Sequence, residues 1–303
     1  MIGLGAKYLT AAGFGRYRIT AASLGSNLMF GSLWLNYAAQ QAIMDAFGVD
    51  GPAVIAATNE YLNGIAASDK AKATALAALI NEDPMMVCSL GLSVEGVTMP
   101  ERSLKGDGTA YINTLYNPND QTIVESKIRY SGWHNHYDKQ FGVDKGGASI
   151  YIYSQINSNG GVIRYVFGPN STTYGKEVNA NDGQFHTIRL KRASVVYDGT
   201  IYTFASCADF TMTAPMFIYG CNNQNSNVQQ SSSYVVYFRM YEGDVAKREM
   251  LPMRLGKAWS ADKVSTGVAQ AKDTLGMIDL VTGIFYPNAA SSGAFTMEGE
   301  PTP

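Results

Sequence analysis

The chain has 303 residues, enough for two domains or for one large β-domain with an appendage, and its 46% apolar content is ample for a core. Charged residues make up 16% and the formal net charge is −2, which gives no electrostatic case for nucleic-acid binding, a function that needs Lys and Arg concentrated on one face. Glycine (31) and tyrosine (19) are abundant, giving a neutral, polar surface suited to packing into an assembly or to meeting neutral ligands such as glycans.

Residues 1–32 are rich in Gly, Ala and Ser, with scattered Tyr8, Phe14, Tyr17 and Phe30. Neither the helical nor the strand period persists there, so the segment is expected to order against a partner rather than alone. Lys7, Arg16 and Arg18 are not followed by a clean apolar stretch and cleavage site, so no secretory signal is expected. No apolar run approaches the length of a membrane span.

Three helices follow. The first is expected from about Ser32 to Phe47, with Leu33, Tyr37, Met44 and Phe47 as its stripe and Gly48 as its stop. The second begins after Asp50-Gly51-Pro52, where proline suits a first helical turn. Its Val54, Ile55, Thr58, Tyr61, Leu62 and Ile65 keep the three-four spacing of an amphipathic face. Ser68 and Asp69 open the third, with Ala73, Leu76, Leu79 and Ile80 as its stripe and Pro84 as its end.

From Met85 the period changes to short alternating runs between Gly, Asn and Asp turn signals. Strands are expected at Thr109–Leu115, Gln121–Tyr130, Ser149–Gln155, Gly161–Phe167, His186–Arg192, Ser194–Tyr197, Thr200–Ala205, Met216–Tyr219, Tyr234–Glu242, Glu249–Met253, Gly276–Asp279 and Ile284–Tyr286. Asn117-Pro118-Asn119-Asp120 is a turn, and Asp198-Gly199 has the chemistry of a two-residue type I′ hairpin. A dozen short strands with such turns imply an antiparallel sandwich. Cys88, Cys207 and Cys221 are odd in number and lack a CxxC pair, so free thiols are expected, with a Cys207–Cys221 bridge as the alternative.

Several blocks then fall in a recognisable order. They are Lys105-Gly106-Asp107-Gly108-Thr109-Ala110-Tyr111-Ile112, Gln121–Ile128, Phe185-His186-Thr187-Ile188-Arg189-Leu190, the Asp198-Gly199 hairpin, and a closing run. That run comprises Tyr234–Gly243, Lys247-Arg248-Glu249-Met250-Leu251-Pro252 and Leu275–Asn288. Over roughly residues 100–300 the chain resembles the concanavalin A-like, laminin-G-like jelly-roll domains found in phage fibre and decoration proteins, including those of gut Bacteroides and crAss-like phages. A longer insert between Gly256 and Leu275 departs from the pattern. The resemblance implies a mainly β protein: a C-terminal antiparallel jelly-roll sandwich (85–303), preceded by a helical collar (33–84) and an N-terminal anchoring arm (1–32).

Trp133-His134-Asn135-His136-Tyr137-Asp138 is the densest run of functional side chains. Trp133 offers a ring for stacking on a sugar, while Asn135 and His136 address hydroxyls; Asn223 and Asn225, in an amide-rich loop, add donors and acceptors. Asp107, Asp120, Asp138 and Asp144 are candidate oxygen ligands for calcium, without a recognised loop pattern. No nucleophile elbow, zinc-protease motif or P-loop is present, and Glu125 lacks an acidic residue at the second position after it. His186 is expected to pack or to cap a strand edge.

The expected function is therefore non-enzymatic and without a cofactor: a bacteriophage virion protein on the capsid surface, as a head fibre or decoration protein. Residues 1–84 would meet the major capsid or another virion protein. The chain would form a homodimer or homotrimer, with Val54, Tyr61, Leu62 and Ile65 supplying the collar's apolar face. The jelly roll would face outward toward host or mucin glycans. Alternatives are a tail fibre or receptor-binding protein, and a stand-alone lectin or glycan-processing enzyme of a gut bacterium.

Overall fold

The computed structural model describes residues 23–24, 27–28, 34–130, 138–145, 147–157, 160–169, 173–176, 182–203, 207–223, 226–228 and 231–301. The chain forms two compact units, divided between Met99 and Pro100. The sequence expectation began the β-region earlier, at Met85. Residues up to Met99 instead belong with the helices, and Pro84–Ser89 continues them as a 3-10 turn.

In the first unit, α1 (Tyr37–Phe47), α2 (Gly51–Ala66) and α3 (Lys70–Glu82) follow one another closely. Helix α1 starts later than its apolar pattern suggests because the Asn36 side chain caps it, accepting from Ala39 N at 2.9 Å. Trp34 and Asn36 tie the entry of α1 to the other two helices. Trp34 Nε1 donates to Asn63 Oδ1 at 2.8 Å, and Asn36 N donates to Asn81 Oδ1 at 2.7 Å. Asp69 caps α3 through Lys72 N, as Ser68-Asp69 implied.

The expected stripe of α1 is not its buried face. Ala39 and Ile43 face the core, whereas Tyr37 is 66% exposed. A small Ala permits close helix approach, and Tyr keeps its hydroxyl in water. Val54 and Leu62 of α2 are fully buried inside this unit, so of the proposed collar face Tyr61 alone is strongly exposed. Among the described residues no helix is long and apolar enough to cross a membrane.

The second unit is a two-layered antiparallel sandwich. Its strands are β1 (Ser103–Gly106), β2 (Ile112–Asn113), β3 (Thr122–Arg129), β4 (Asp138–Lys145), β5 (Ala148–Asn157), β6 (Gly160–Pro169), β7 (Thr173–Lys176), β8 (His186–Lys191) and β9 (Ser194–Tyr197). They continue as β10 (Thr200–Thr203), β11 (Phe217–Ile218), β12 (Cys221–Asn223), β13 (Ser226–Val228), β14 (Tyr234–Glu242), β15 (Val245–Arg254), β16 (Leu275–Asp279), β17 (Phe285–Pro287) and β18 (Phe295–Glu298). One sheet runs β10-β9-β8-β3-β14-β15-β16-β17, with β1 joining β14 to β18. The other runs β13-β12-β4-β5-β6-β7, with β11 joining β2 to β4. Among the described strands, the pairings are antiparallel except β12 with β4.

The chain crosses to the second layer at β2, returns at β3, crosses at β4, returns at β8, crosses again at β11 and returns at β14. This is the jelly-roll weave that the resemblance implies. Strict alternation in β3, with Thr122, Val124, Ser126 and Ile128 buried, turns one face inward. That face meets Phe141, Val143 and Ile150 of the opposite sheet; the Phe141 and Phe238 rings contact edge to face at 5.2 Å. Each such large side chain contributes about 1.5–3 kcal/mol by leaving water.

Several expectations change at turns. The strand expected at Thr109–Leu115 shrinks to Ile112–Asn113, because Asp107 holds Thr109 and Ala110 in a turn and Leu115 has a φ of 54°. Strands β1, β4, β7, β12, β13 and β18 were not anticipated. The insert after Gly256 folds back on itself, with Trp259 and Gln270 exchanging backbone bonds at 2.9 and 3.0 Å and the Trp259 ring meeting Phe285 edge to face. None of the three cysteines is in a disulfide; Cys88 and Cys221 are buried and Cys207 is half-buried, so no Cys207–Cys221 bridge forms.

Candidate functional site

Of the residues expected to bind glycans, Trp133, Asn135, His136 and Asn225 lie outside the described residues. Asn223 ends β12 and is the register partner of Asp144 on β4. The candidate calcium ligands do not converge. Asp120 accepts from Arg192 Nη1 at 2.7 Å and from Gln121 at 2.6 Å; Asp144 accepts from Ser149 Oγ at 2.7 Å. Asp138 opens β4 and pairs in register with Ser154. Asp107 receives Thr109 N, Thr109 Oγ1, Ala110 N and Ala294 N. Among the described residues no group of three acidic, His or Cys side chains is placed to hold a metal ion.

A different array stands out on the outer face of the larger sheet. Opposite its buried positions, β3 presents Ile123, Glu125, Lys127 and Arg129. On β14 the register with β3 shifts between Val235 and Tyr237, so Tyr234 pairs with Arg129 and Tyr237 with Lys127. Partners directly opposite share a face, so the bulge turns both tyrosines outward, followed by Arg239 and Tyr241.

Charges and rings interlock across this face. Arg189 Nε binds Glu125 Oε1 at 2.8 Å, and Arg239 approaches Glu249 at 3.8 Å while its guanidinium lies 4.5 Å from the Tyr237 ring. Arg129 is sandwiched between Tyr234 at 4.0 Å and Phe185 at 4.8 Å, and Glu298 pairs with it at 3.1 Å. Lys127 pairs with Glu101, and Lys105 lies over the Tyr234 ring at 4.8 Å. Cation–π contacts of this kind fix ring orientation as well as adding stability. Burial pushes the Tyr237 phenol up, with Arg239 opposing, so it stays neutral and can both donate and accept.

Between β14, β3, β8 and β9 the face dips into a depression of about 180 Å³ lined by Glu125, Thr187, Ile188, Arg189, Val196 and Tyr237. It offers an aromatic wall, a small apolar patch, one carboxylate, one guanidinium and two hydroxyls, those of Thr187 and Tyr237. Sequence reading took Tyr234–Glu242 only as a strand. Its visible signal was the tyrosine spacing, but the three-residue step from Tyr234 to Tyr237 hides a shared face unless the bulge is known.

No family model and no curated protein matches the sequence. Among solved structures, the chain is similar to domains LG4-5 of the mouse laminin α1 chain, at 13% identity over 54% of this chain and 46% of that one, with a TM-score of 0.32. It is also similar to a heptameric SAP-like pentraxin from Limulus polyphemus (12% identity, 48% of this chain, 78% of that one, TM-score 0.33). A third is a beta-1,3-glucanase from Mycobacterium marinum (13% identity, 50% and 76% covered, TM-score 0.28). The chain spans about half the length (46%) of the laminin fragment it matches. The fold assignment rests on the strand order and register described above.

Proposed function

We propose that the sandwich is a glycan-binding module, displayed on a bacteriophage particle as part of a head fibre or decoration protein. The observation that carries the binding reading is the depression beside Tyr237. Its volume suits one sugar ring, and its lining pairs an aromatic face with Glu125, Arg189 and Thr187 as hydroxyl partners. Sugars are recognised by such a mixture of stacking against C–H faces and paired donors and acceptors. The charged partners are already held by one another, so a ligand meets a preorganised surface.

Binding rather than turnover is favoured because the depression supplies one carboxylate, whereas glycoside hydrolysis uses two across the bond. The virion role draws its support from the sequence: the closing-strand resemblance, and a Gly/Ala-rich arm and helices preceding the sandwich. A glycan panel tests the binding part, and labelling of intact particles tests the location. Binding to no glycan would end the first; absence of the chain from purified particles would end the second.

A further inference from the structure

His186 opens β8 and is 6% exposed. Its Nδ1 lies 2.6 Å from Asp198 Oδ2 and its Nε2 lies 3.0 Å from Asp182 Oδ1. A carboxylate only accepts hydrogen bonds, and a neutral imidazole carries one donor and one bare acceptor. The neutral ring therefore leaves one acceptor facing another, whereas the imidazolium donates to both acids.

The two acids sit on different elements. Asp198, with φ 45°, forms the β9–β10 turn with Gly199 and is independently fixed, its Oδ1 accepting from Thr187 N at 2.7 Å. Asp182 belongs to the segment entering β8, and that segment carries Phe185, one of the two rings that sandwich Arg129. Other groups facing the imidazole are phenols. Tyr197 stacks on it at 5.0 Å, and Tyr130, at the end of β3, lies at 6.5 Å. Tyr202 of β10 is close enough to Tyr197 to act on it electrostatically. Burial pushes the Tyr130 and Tyr197 phenols far up, so neither competes as a charge.

We propose that His186 is a pH-operated positioning residue, whose imidazolium clips the Asp182–Phe185 segment to the Asp198 turn and thereby holds Phe185 over Arg129 at the rim of the tyrosine face. When the ring loses a proton, the shorter bond to the rigid Asp198 turn keeps the remaining donor and the Asp182 arm lets go. The Asp182 carboxyl is held below its usual range, first by the Gln184 backbone N–H and also by His186. The clip is thus closed from the depressed titration of Asp182 up to deprotonation of the ring, and it opens on either side. The clip stands on its own geometry; its influence on glycan affinity rests on the function proposed above.

The test uses the full chain with ¹⁵N-labelled histidine, the His186 signals being those lost in H186N. With the clip closed, both ring nitrogens should show the protonated pattern. Amide-exchange protection at Gln184–Thr187, corrected for intrinsic rates, should fall about tenfold as the ring deprotonates, the loss expected for one charge-assisted bond at a half-exposed partner. D182N should remove that pH step while unfolding normally elsewhere. A neutral-ring pattern while Gln184–Thr187 is still fully protected, or a step of equal size in D182N, would overturn the proposal. If the step is present but no glycan binds at any pH, the platform reading fails and the clip survives.

Discussion

Asp279 Oδ1 accepts the backbone N–H of Glu249 at 2.8 Å, and this bond stitches the last residue of β16 to the start of the buried half of β15. The same carboxylate accepts Val281 N at 3.1 Å and Thr282 Oγ1 at 2.7 Å, and Arg248 stands 3.8 Å away. A fully buried acid thus holds the Asp279–Gly283 turn, which Gly283 completes with a φ of 70°. The physical basis of the closing motif, from Arg248-Glu249 to Asp279…Gly283, is this one knot.

Asp279→Ala should therefore lower sandwich stability by about 3–5 kcal/mol, because it strands three donors and leaves Arg248 beside a buried void. Denaturant unfolding followed by tyrosine fluorescence measures it. A loss below about 1 kcal/mol, the size of an ordinary net hydrogen bond, would show that the turn stands without its acid.

Gly276→Ala should be more damaging than its size suggests. A Cβ there would meet Tyr286 O at 2.4 Å and Phe285 Cζ at 2.7 Å, across the β16–β17 pairing. Backbone cannot retreat as a flexible side chain can, so overpacking at the upper end of its usual range, about 3 kcal/mol, is expected. Thermal unfolding of the variant beside Gly283→Ala, where the added atom meets open space but φ is positive, separates crowding from backbone strain.

Legibility in the sequence follows the same physics. Ser194–Tyr197 and Tyr234–Glu242 were readable to the residue, since period-two alternation and the Asp198-Gly199 turn are local signals. Strands such as Cys221–Asn223 and Phe295–Glu298 are three or four residues long and owe their pairing to distant partners, β4 for one and β1 for the other. The stripe of α1 misled because tyrosine is apolar in a count but amphipathic in space. The candidate site was invisible for a related reason: Arg189, Glu125 and Tyr237 come from three strands far apart in sequence, and a bulge breaks the spacing that unites them.

Asp107 makes a pH prediction. Burial raises its carboxyl, but hydrogen bonds from Ala110, Thr109 and Ala294 outweigh that and bring it down to about 2. A depressed carboxylate lends stability that is complete above its unfolded value and is lost as pH falls through the folded one. Wild-type stability should therefore fall between the ordinary Asp range near 3.8 and about 2. D107N should be less stable at neutral pH and show a shallower slope across that window. Identical acid slopes would mean that Asp107 is not the anchor joining the β1–β2 turn to Ala294.

The most direct measurement of the central claim is calorimetric titration of the best ligand from a glycan panel into wild type and Tyr237→Ala, with unfolding curves confirming that both are folded. Loss of the stacking wall should weaken binding by about tenfold or more, in a variant that still unfolds cooperatively. Equal affinity in the two proteins would place the ligand elsewhere and contradict the assignment of this face.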